Sequence, residues 1–103
     1  MLAVFAALSC TSESPTDSFE LAGFVTERGS DRGVRGARVV FSSDTRFTAE
    51  TTTNGDGFYE MNVETDRPFG QVRASAAGFE ENEQTVFFDT PTRRIDLSLR
   101  PAP

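Results

Sequence analysis

The side-chain types that are missing from this 103-residue sequence limit the chemistry that it could perform. There is no histidine, which removes the Ser-His-Asp and Cys-His arrangements of nucleophilic catalysis and any histidine ligand for a metal. The only cysteine, Cys10, has no partner for an internal disulfide. We therefore predict that the protein is not an enzyme and that it uses no cofactor and no metal.

Two groups of polar residues could in principle form a binding site. Residues 54–57, with the sequence NGDG, offer oxygen ligands but lack the other acidic positions and the final glutamate of an EF-hand calcium loop. Asn-Gly and Asp-Gly pairs are what tight turns require, so a plain turn is predicted. The second group is Glu80, Glu81 and Glu83, a pattern more typical of a solvated corner or of an edge that resists strand pairing.

The charge of the chain argues against nucleic acid as a partner. The formal net charge is −6, whereas binding to nucleic acid requires clustered Lys and Arg side chains that neutralise phosphates. All ten basic residues are arginine, which together with abundant Ala and Gly is typical of a GC-rich, bacterial genome. The length predicts a single domain.

The N-terminal residues contain the one candidate modification site. Residues 2–8 form an apolar run that is too short to span a bilayer but fits the hydrophobic region of a signal peptide. The order of this run, Ser9 and Cys10 resembles the lipobox of bacterial lipoproteins, in which the cysteine becomes the lipidated first residue of the mature protein. Residues 1–9 are thus predicted to be a signal peptide, Cys10 to be lipidated, and residues 10–18 to be a polar tether.

The lipobox interpretation has departures and an alternative. Ala7 stands where Leu is usual, and Leu8 stands where a small residue is usual. Basic residues before the apolar run are missing, as would follow if the true start lay upstream of Met1. The alternative is that the segment is a buried N-terminal strand, or a disordered tail that carries a free thiol.

Residues 19–100 carry the pattern of an all-β domain. Short stretches of alternating apolar and polar residues are separated by turn residues at intervals of about 8–12 residues. We expect about seven strands in an antiparallel Greek-key β-sandwich. Residues 51–63, TTTNGDGFYEMNV, predict one β-hairpin, and residues 93–99 predict the last strand. The residues expected to face inward are Leu21, Val25, Ala37, Val39, Phe41, Tyr59, Met61, Val63, Val72, Ala74, Ile95, Leu97 and Leu99.

The phenylalanines exceed what one core layer needs. The sequence has ten of them, and those without an obvious place could form an exposed partner surface or a second core layer. These residues are Phe24, Phe47, Phe69, Phe79, Phe87 and Phe88.

Four motifs in order resemble the carboxypeptidase regulatory-like domains. The first is GFVTERGSDRGVRGARVVFSS, with a Gly-x-Val strand, a loop and a Gly-Ala-x-Val strand. TTTNGDGFYEMNV resembles the family's turn followed by an aromatic residue, VRASAAGFEE resembles its Val-x-Ala-x-Ala-x-Gly-aromatic strand, and IDLSL resembles its closing strand. The resemblance covers residues 19–99, and one departure is Arg35, where the family often has Pro.

The resemblance implies a transthyretin-like (prealbumin-like) β-sandwich in a non-catalytic module of the kind appended to peptidases, receptors and surface lipoproteins. With the N-terminal pattern, it predicts a surface lipoprotein module with a structural or protein-interaction role, anchored to the membrane through Cys10 and bound to an unidentified protein of the cell envelope. The alternative function is transthyretin-like binding of a small molecule or carbohydrate. The expected location is the outer membrane or cell surface; a secreted or periplasmic protein is the alternative.

Overall fold

The computed structural model describes residues 17–45 and 47–102, in which the chain forms eight β-strands and no helix. The predicted signal peptide, Cys10 and nearly all of the tether lie outside the described residues. The strands are β1 (Asp17–Glu27), β2 (Arg38–Ser42), β3 (Thr48–Thr52), β4 (Phe58–Thr65), β5 (Phe69–Ser75), β6 (Asn82–Phe87), β7 (Thr92–Arg94) and β8 (Leu97–Leu99).

Strict alternation of residue types determines which face each strand buries. In β4, Tyr59, Met61 and Val63 are buried, while Glu60 and Asn62 are exposed. Successive side chains of a strand point to opposite faces, so a sequence with this period can cover a core on one side and meet water on the other. Strands β1, β2 and β5 alternate in the same way, so each sheet has one apolar face that the other sheet must cover.

The two sheets pack face to face as a β-sandwich, which confirms the predicted fold class. In the first sheet β1 lies between β4 on one side and both β7 and β8 on the other. The second sheet has the order β3-β2-β5-β6. Most neighbouring strands are antiparallel, as predicted, but β1 runs parallel to β7 and β8.

The last predicted strand is divided into two. Residues 20–22 pair with β7, and residues 25–27 pair with β8. Between them, Ile95 donates its amide to the carbonyl of Ala22 (2.9 Å), and the amide of Phe24 turns to the carboxylate of Asp96 (2.9 Å). The alternation in residues 93–99 continues through this interruption, so the pattern alone predicted one strand.

The prediction of a hairpin over residues 51–63 was wrong. β3 pairs with β2 in the second sheet, whereas β4 pairs with β1 in the first. The turn between β3 and β4 therefore carries the chain from one sheet to the other. The NGDG sequence correctly predicts a tight turn. Such a turn can connect two strands that pair with each other, or two strands that belong to different sheets, as it does here.

One hydrophobic core lies between the sheets. All residues predicted to face inward are buried in it, including Tyr59 and Met61 of the first sheet and Val39 and Phe41 of the second. Two further core residues, Val34 and Val86, were not predicted, and Phe88 joins the core as one of the phenylalanines for which a second core layer was an expected alternative. Val34 is in a loop that folds back over the end of β1, because its amide donates to the carbonyl of Val25 (2.8 Å).

The sandwich has two distinct ends. The start of β1 pairs with the end of β4 and lies at one end, which we call the entry end. The entry end also carries the turns at residues 66–68 and 88–91, which follow β4 and β6. The opposite end, called the far end, carries the loop of residues 28–37 and the turn of residues 53–57.

Candidate functional site

The only tyrosine is buried in the core, where its hydroxyl is hydrogen-bonded to the backbone. Tyr59 is 1% exposed, and its hydroxyl donates to the carbonyl oxygen of Ile95 at 2.6 Å. Burial, with a smaller contribution from the nearby Asp96 carboxylate, raises the pKa of the Tyr59 hydroxyl well above its ordinary value. A hydroxyl that is held protonated and already donates to the backbone is poorly suited to acid–base catalysis.

The carboxylate of Asp96 replaces a missing backbone acceptor. It accepts the Phe24 amide at 2.9 Å and the guanidinium of Arg94 at 3.2 Å. Partial burial raises the pKa of Asp96, but the Phe24 amide and the Arg94 guanidinium outweigh it, so the pKa lies below its ordinary value. The guanidinium of Arg94 also lies 5.5 Å from the centre of the Phe24 ring. This group of residues closes a gap in the sheet rather than forming a cleft.

The buried hydroxyl of Thr53 is also hydrogen-bonded to the backbone. Its hydroxyl accepts the amide of Ala37 at 2.8 Å and donates to the carbonyl of Val34 at 2.5 Å. Throughout the part of the chain that the structure describes, no buried side-chain nitrogen or oxygen lacks a hydrogen-bond partner. Among these residues, hydrogen bonds within the protein satisfy the polar side-chain atoms that the core buries.

Residues 54–57 form the turn that the sequence predicted. The side-chain oxygen of Asn54 accepts the amides of Asp56 (2.9 Å) and Phe58 (3.1 Å), which is a local Asx arrangement. Gly57 has a φ of 83° and packs against the backbone of Gly33, so the turn needs glycine there. Among the described residues, no group of three or more Asp, Glu, Cys or His side chains could hold a metal ion.

The three glutamates near the start of β6 have different surroundings. Glu83 forms an ion pair with Arg73 on the neighbouring strand at 3.6 Å. Glu80 and Glu81 instead line a shallow polar hollow of about 280 Å³ at the far end of the sandwich, together with Arg28, Asn82, Ser98 and Arg100. The arginines of this hollow were not singled out from the sequence, because they follow β1 and β8, and only the parallel pairing of those strands brings them together.

The unplaced phenylalanines separate into buried and exposed members. Phe88 belongs to the core and stacks on Phe19, with ring centres 4.5 Å apart. Phe87, the next residue back along β6, is 59% exposed and is the one large hydrophobic residue exposed in the described chain. Its ring lies 6.1 Å from that of Phe69 on the outer face of the second sheet.

Phe24 and Phe58 form a half-buried pair on the outer face of the first sheet, with ring centres 5.3 Å apart. Phe47 and Phe79 are half-buried.

The predicted lipidation site, Cys10, lies outside the described residues. None of the described residues belongs to a helix long and apolar enough to cross a membrane.

Comparison with known proteins gives a family and a set of similar folds. Residues 20–100 match the model of the carboxypeptidase regulatory-like domain. No curated protein shows significant similarity to the chain in sequence.

Three solved structures share the sandwich. The dioxygenase domain of a dioxygenase carbohydrate-binding protein fusion from Streptomyces sp. SirexAA-E has a TM-score of 0.64 at 18% identity, and the match covers 88% of this chain and 84% of that one. The pilus 2b backbone protein of group B streptococcus has a TM-score of 0.62 at 12% identity, covering 81% of this chain and 41% of that one. Chlorocatechol 1,2-dioxygenase from Pseudomonas putida has a TM-score of 0.60 at 13% identity, covering 82% and 60%. At these identities the likeness concerns the fold alone.

Proposed function

Because the chain belongs to the family of carboxypeptidase regulatory-like domains, we propose that it is a non-catalytic module that a lipidated Cys10 anchors to the bacterial cell envelope. There its sandwich has a structural or protein-interaction role. The observation that carries the proposal is the order of an apolar run, Ser9-Cys10, a polar tether and a self-contained β-sandwich.

The geometry of the sandwich fits a chain that is anchored at its N-terminal side. β1 begins at Asp17 at the entry end, and an extended tether from Cys10 to Asp17 spans at most about 25 Å. An anchored domain would therefore hold its entry end near the bilayer and present its far end, with the loop of residues 28–37, to the surroundings. Several acyl chains on one cysteine would give the stable residence in the membrane that a single chain does not.

A structural or protein-interaction role is supported by the composition of the surface and by the fold. Phe87 is 59% exposed and lies beside the ring of Phe69 on the outer face of the second sheet, where the two rings offer an apolar contact to a partner. A similar sandwich also forms part of a pilus backbone protein. The Tyr59 hydroxyl is bonded to the carbonyl of Ile95 and the Asp96 carboxylate to the amide of Phe24, so both side chains are engaged within the first sheet.

The alternative, a transthyretin-like ligand-binding module, has one observation in its favour. The polar hollow at the far end could accept a small molecule. Carbohydrate is less well supported, because sugars stack on Trp and Tyr, and this chain has no Trp and buries its only Tyr.

Mass spectrometry of the membrane fraction tests the anchoring. With the protein expressed from its chromosomal gene, so that the natural start is used, we expect a mature chain that begins at an acylated Cys10. Cys10→Ser should release the protein from the membrane fraction, whereas Ser9→Ala, which keeps a small residue before the cysteine, should not. A soluble wild-type product that retains Met1 would refute anchoring.

A further inference from the structure

The polar hollow at the far end is built on a fixed frame. Three segments meet there: the residue after β1, the start of β6 and the end of β8. The amide of Arg28 donates to the carbonyl of Leu99, and the amide of Glu80 donates to the carbonyl of Arg100, both at 2.8 Å. The side-chain amide of Asn82 donates to the carbonyl of Ser98 at 2.8 Å. These bonds hold the backbones of all three segments together, so the side chains above them emerge from set positions.

The charged groups around the hollow are not paired with one another. Within residues 17–45 and 47–102 there are nine arginines, and six of them form ion pairs. The three that form none are Arg28, Arg35 and Arg100, and two of these line the hollow. Glu80 and Glu81, on the same lining, also form none, although Glu83 nearby pairs with Arg73. In an acidic protein, two guanidinium groups and two carboxylates thus border one space without neutralising each other.

This lining favours a ligand that carries both signs of charge. A guanidinium binds carboxylates through parallel N–H donors, and a carboxylate accepts hydrogen bonds from an ammonium group. A purely anionic ligand would be repelled by Glu80 and Glu81, and a purely cationic one by Arg28 and Arg100. The free side-chain oxygen of Asn82 and the hydroxyl of Ser98 add neutral hydrogen-bonding groups to the lining.

We propose that the hollow binds a zwitterionic ligand of the size of an amino acid or dipeptide. The ligand's carboxylate would lie at Arg28 and Arg100, and its ammonium group at Glu80 and Glu81. The volume of about 280 Å³ accommodates such a molecule. Because the hollow is open and its charges are exposed, each ion pair contributes little, and we expect a dissociation constant of about 1 mM. This proposal does not depend on lipidation of Cys10, and it would make the far end of the domain a site that senses or retains amino acids or short peptides.

NMR titration of the folded domain with glycylglycine tests the proposal. We expect saturable shifts confined to the amides of Arg28, Glu80, Glu81 and Asn82 and to the guanidinium N–H groups of Arg28 and Arg100. N-acetyl-glycylglycine, which lacks the ammonium group, and glycylglycine amide, which lacks the carboxylate, should each bind about tenfold more weakly. Equal shifts with all three compounds, or no saturation with glycylglycine, would overturn the proposal.

Substitutions distinguish the two halves of the lining. Arg28→Gln together with Arg100→Gln should abolish the response to glycylglycine. Arg35→Gln, which removes the remaining arginine without an ion pair among the described residues, should leave the response intact. Glu80→Gln together with Glu81→Gln should make N-acetyl-glycylglycine bind more tightly than it binds the wild type, because the repulsion of its carboxylate is gone. Loss of binding in the Arg35→Gln variant, or no gain in the double glutamine variant, would contradict the assigned roles. The same spectra show whether each variant is folded.

Discussion

The two sides of β1 are held by different means. On one side, β1 pairs with β4 in an unbroken antiparallel register from Asp17↔Thr65 to Phe24↔Phe58. On the other side, its parallel pairing with β7 and β8 is interrupted at residues 23–24. The first contact needs only backbone groups and alternating residues, whereas the second depends on particular side chains.

Side chains compensate for the interruption. The Asp96 carboxylate accepts the Phe24 amide, and the Tyr59 hydroxyl donates to the Ile95 carbonyl from the opposite strand of the same sheet. Gly23 faces this point, and a Cβ atom there would overlap the carbonyl group of Ile95. The comparison shows that a strand can be specified on one edge by pattern and on the other by a few individual residues. Small substitutions on the interrupted side should therefore lower the free energy of unfolding more than similar substitutions on the continuously paired side.

The largest effect is expected for Gly23→Ala. The added methyl group must displace the backbone of Ile95, because no rotation of a side chain can relieve the overlap. We expect a loss of about 3 kcal/mol in the free energy of unfolding, measured by urea denaturation. Gly55→Ala is the matched control, since a Cβ at Gly55 meets no atom within 4 Å, and its effect should stay within about 0.5 kcal/mol. Similar losses in the two variants would show that the interruption tolerates a side chain.

The next effect is expected for Tyr59→Phe. Removal of the hydroxyl leaves the carbonyl of Ile95 without this donor in a buried site, which should cost about 1–2 kcal/mol. The pKa of Tyr59 is raised in the folded state. The stability that this buried, protonated hydroxyl contributes is therefore fully present below the unfolded pKa of about 10 and is lost as the pH rises from there toward the folded pKa.

No lysine titrates in this window, and the Tyr59→Phe variant carries the same Cys10 as the wild type, so the difference between the two proteins isolates the tyrosine. Urea denaturation should be measured between about pH 8 and 11, a range that includes the ordinary tyrosine pKa of about 10. The free energy of unfolding should decline with pH in the wild type and decline less in Tyr59→Phe. An equal decline in both proteins would mean that Tyr59 is not the group responsible.

A smaller effect is expected for Asp96→Asn. The amide keeps an oxygen for the Phe24 N–H but loses the charge that Arg94 contacts. Because 53% of the Asp96 side chain is exposed, we expect a loss below about 1 kcal/mol at neutral pH. The pKa of Asp96 is lowered by folding, so its contribution is present above the unfolded value of about 3.9 and disappears as the pH falls below it. Thermal unfolding at pH 3 and pH 7 should show the variant and wild type converging under acid conditions; a constant difference would contradict this origin.

The smallest effect is expected where β6 contacts the segment from residue 96 to 98. The side-chain amides of Asn82 and Gln84 donate to the carbonyls of Ser98 (2.8 Å) and Asp96 (3.3 Å). Because these bonds are exposed to water, Asn82→Ala and Gln84→Ala should each cost about 0.5 kcal/mol. Asn62→Ala, on the exposed face of β4, should leave the urea midpoint unchanged. Asn62 lies on β4, on the continuously paired side of β1, whereas Asn82 bonds to β8 on the interrupted side. A larger loss of stability in Asn62→Ala than in Asn82→Ala would contradict the greater dependence of the interrupted side on individual side chains.

The sequence was sufficient to predict the regular part of this molecule. Alternation along β1, β2, β4 and β5 identified the inward residues, because a single period decides which face is buried. It also identified the turn at residues 54–57, because the need for Asn and Gly is local.

What the sequence could not predict depends on contacts between remote segments. The division of residues 93–99 into β7 and β8 arises from the fit against Gly23 and Tyr59, and the alternation of residue types continues across it. The passage of the chain from β3 to β4 looked like a hairpin, since turn chemistry does not specify which strands pair. The hollow combines residues near 28, 80 and 100, and no spacing in the chain marks them as neighbours.

The parallel pairing of β1 with β8 has a mechanical consequence. β1 starts at the entry end, and β8 finishes at the far end, so the two ends of the domain leave in opposite directions along neighbouring strands. A pulling force applied between Asp17 and Leu99 would act along the strands and load their hydrogen bonds together in shear, instead of opening them one at a time. A domain held at its N-terminal side and pulled from its C-terminal side would therefore resist extension as a unit.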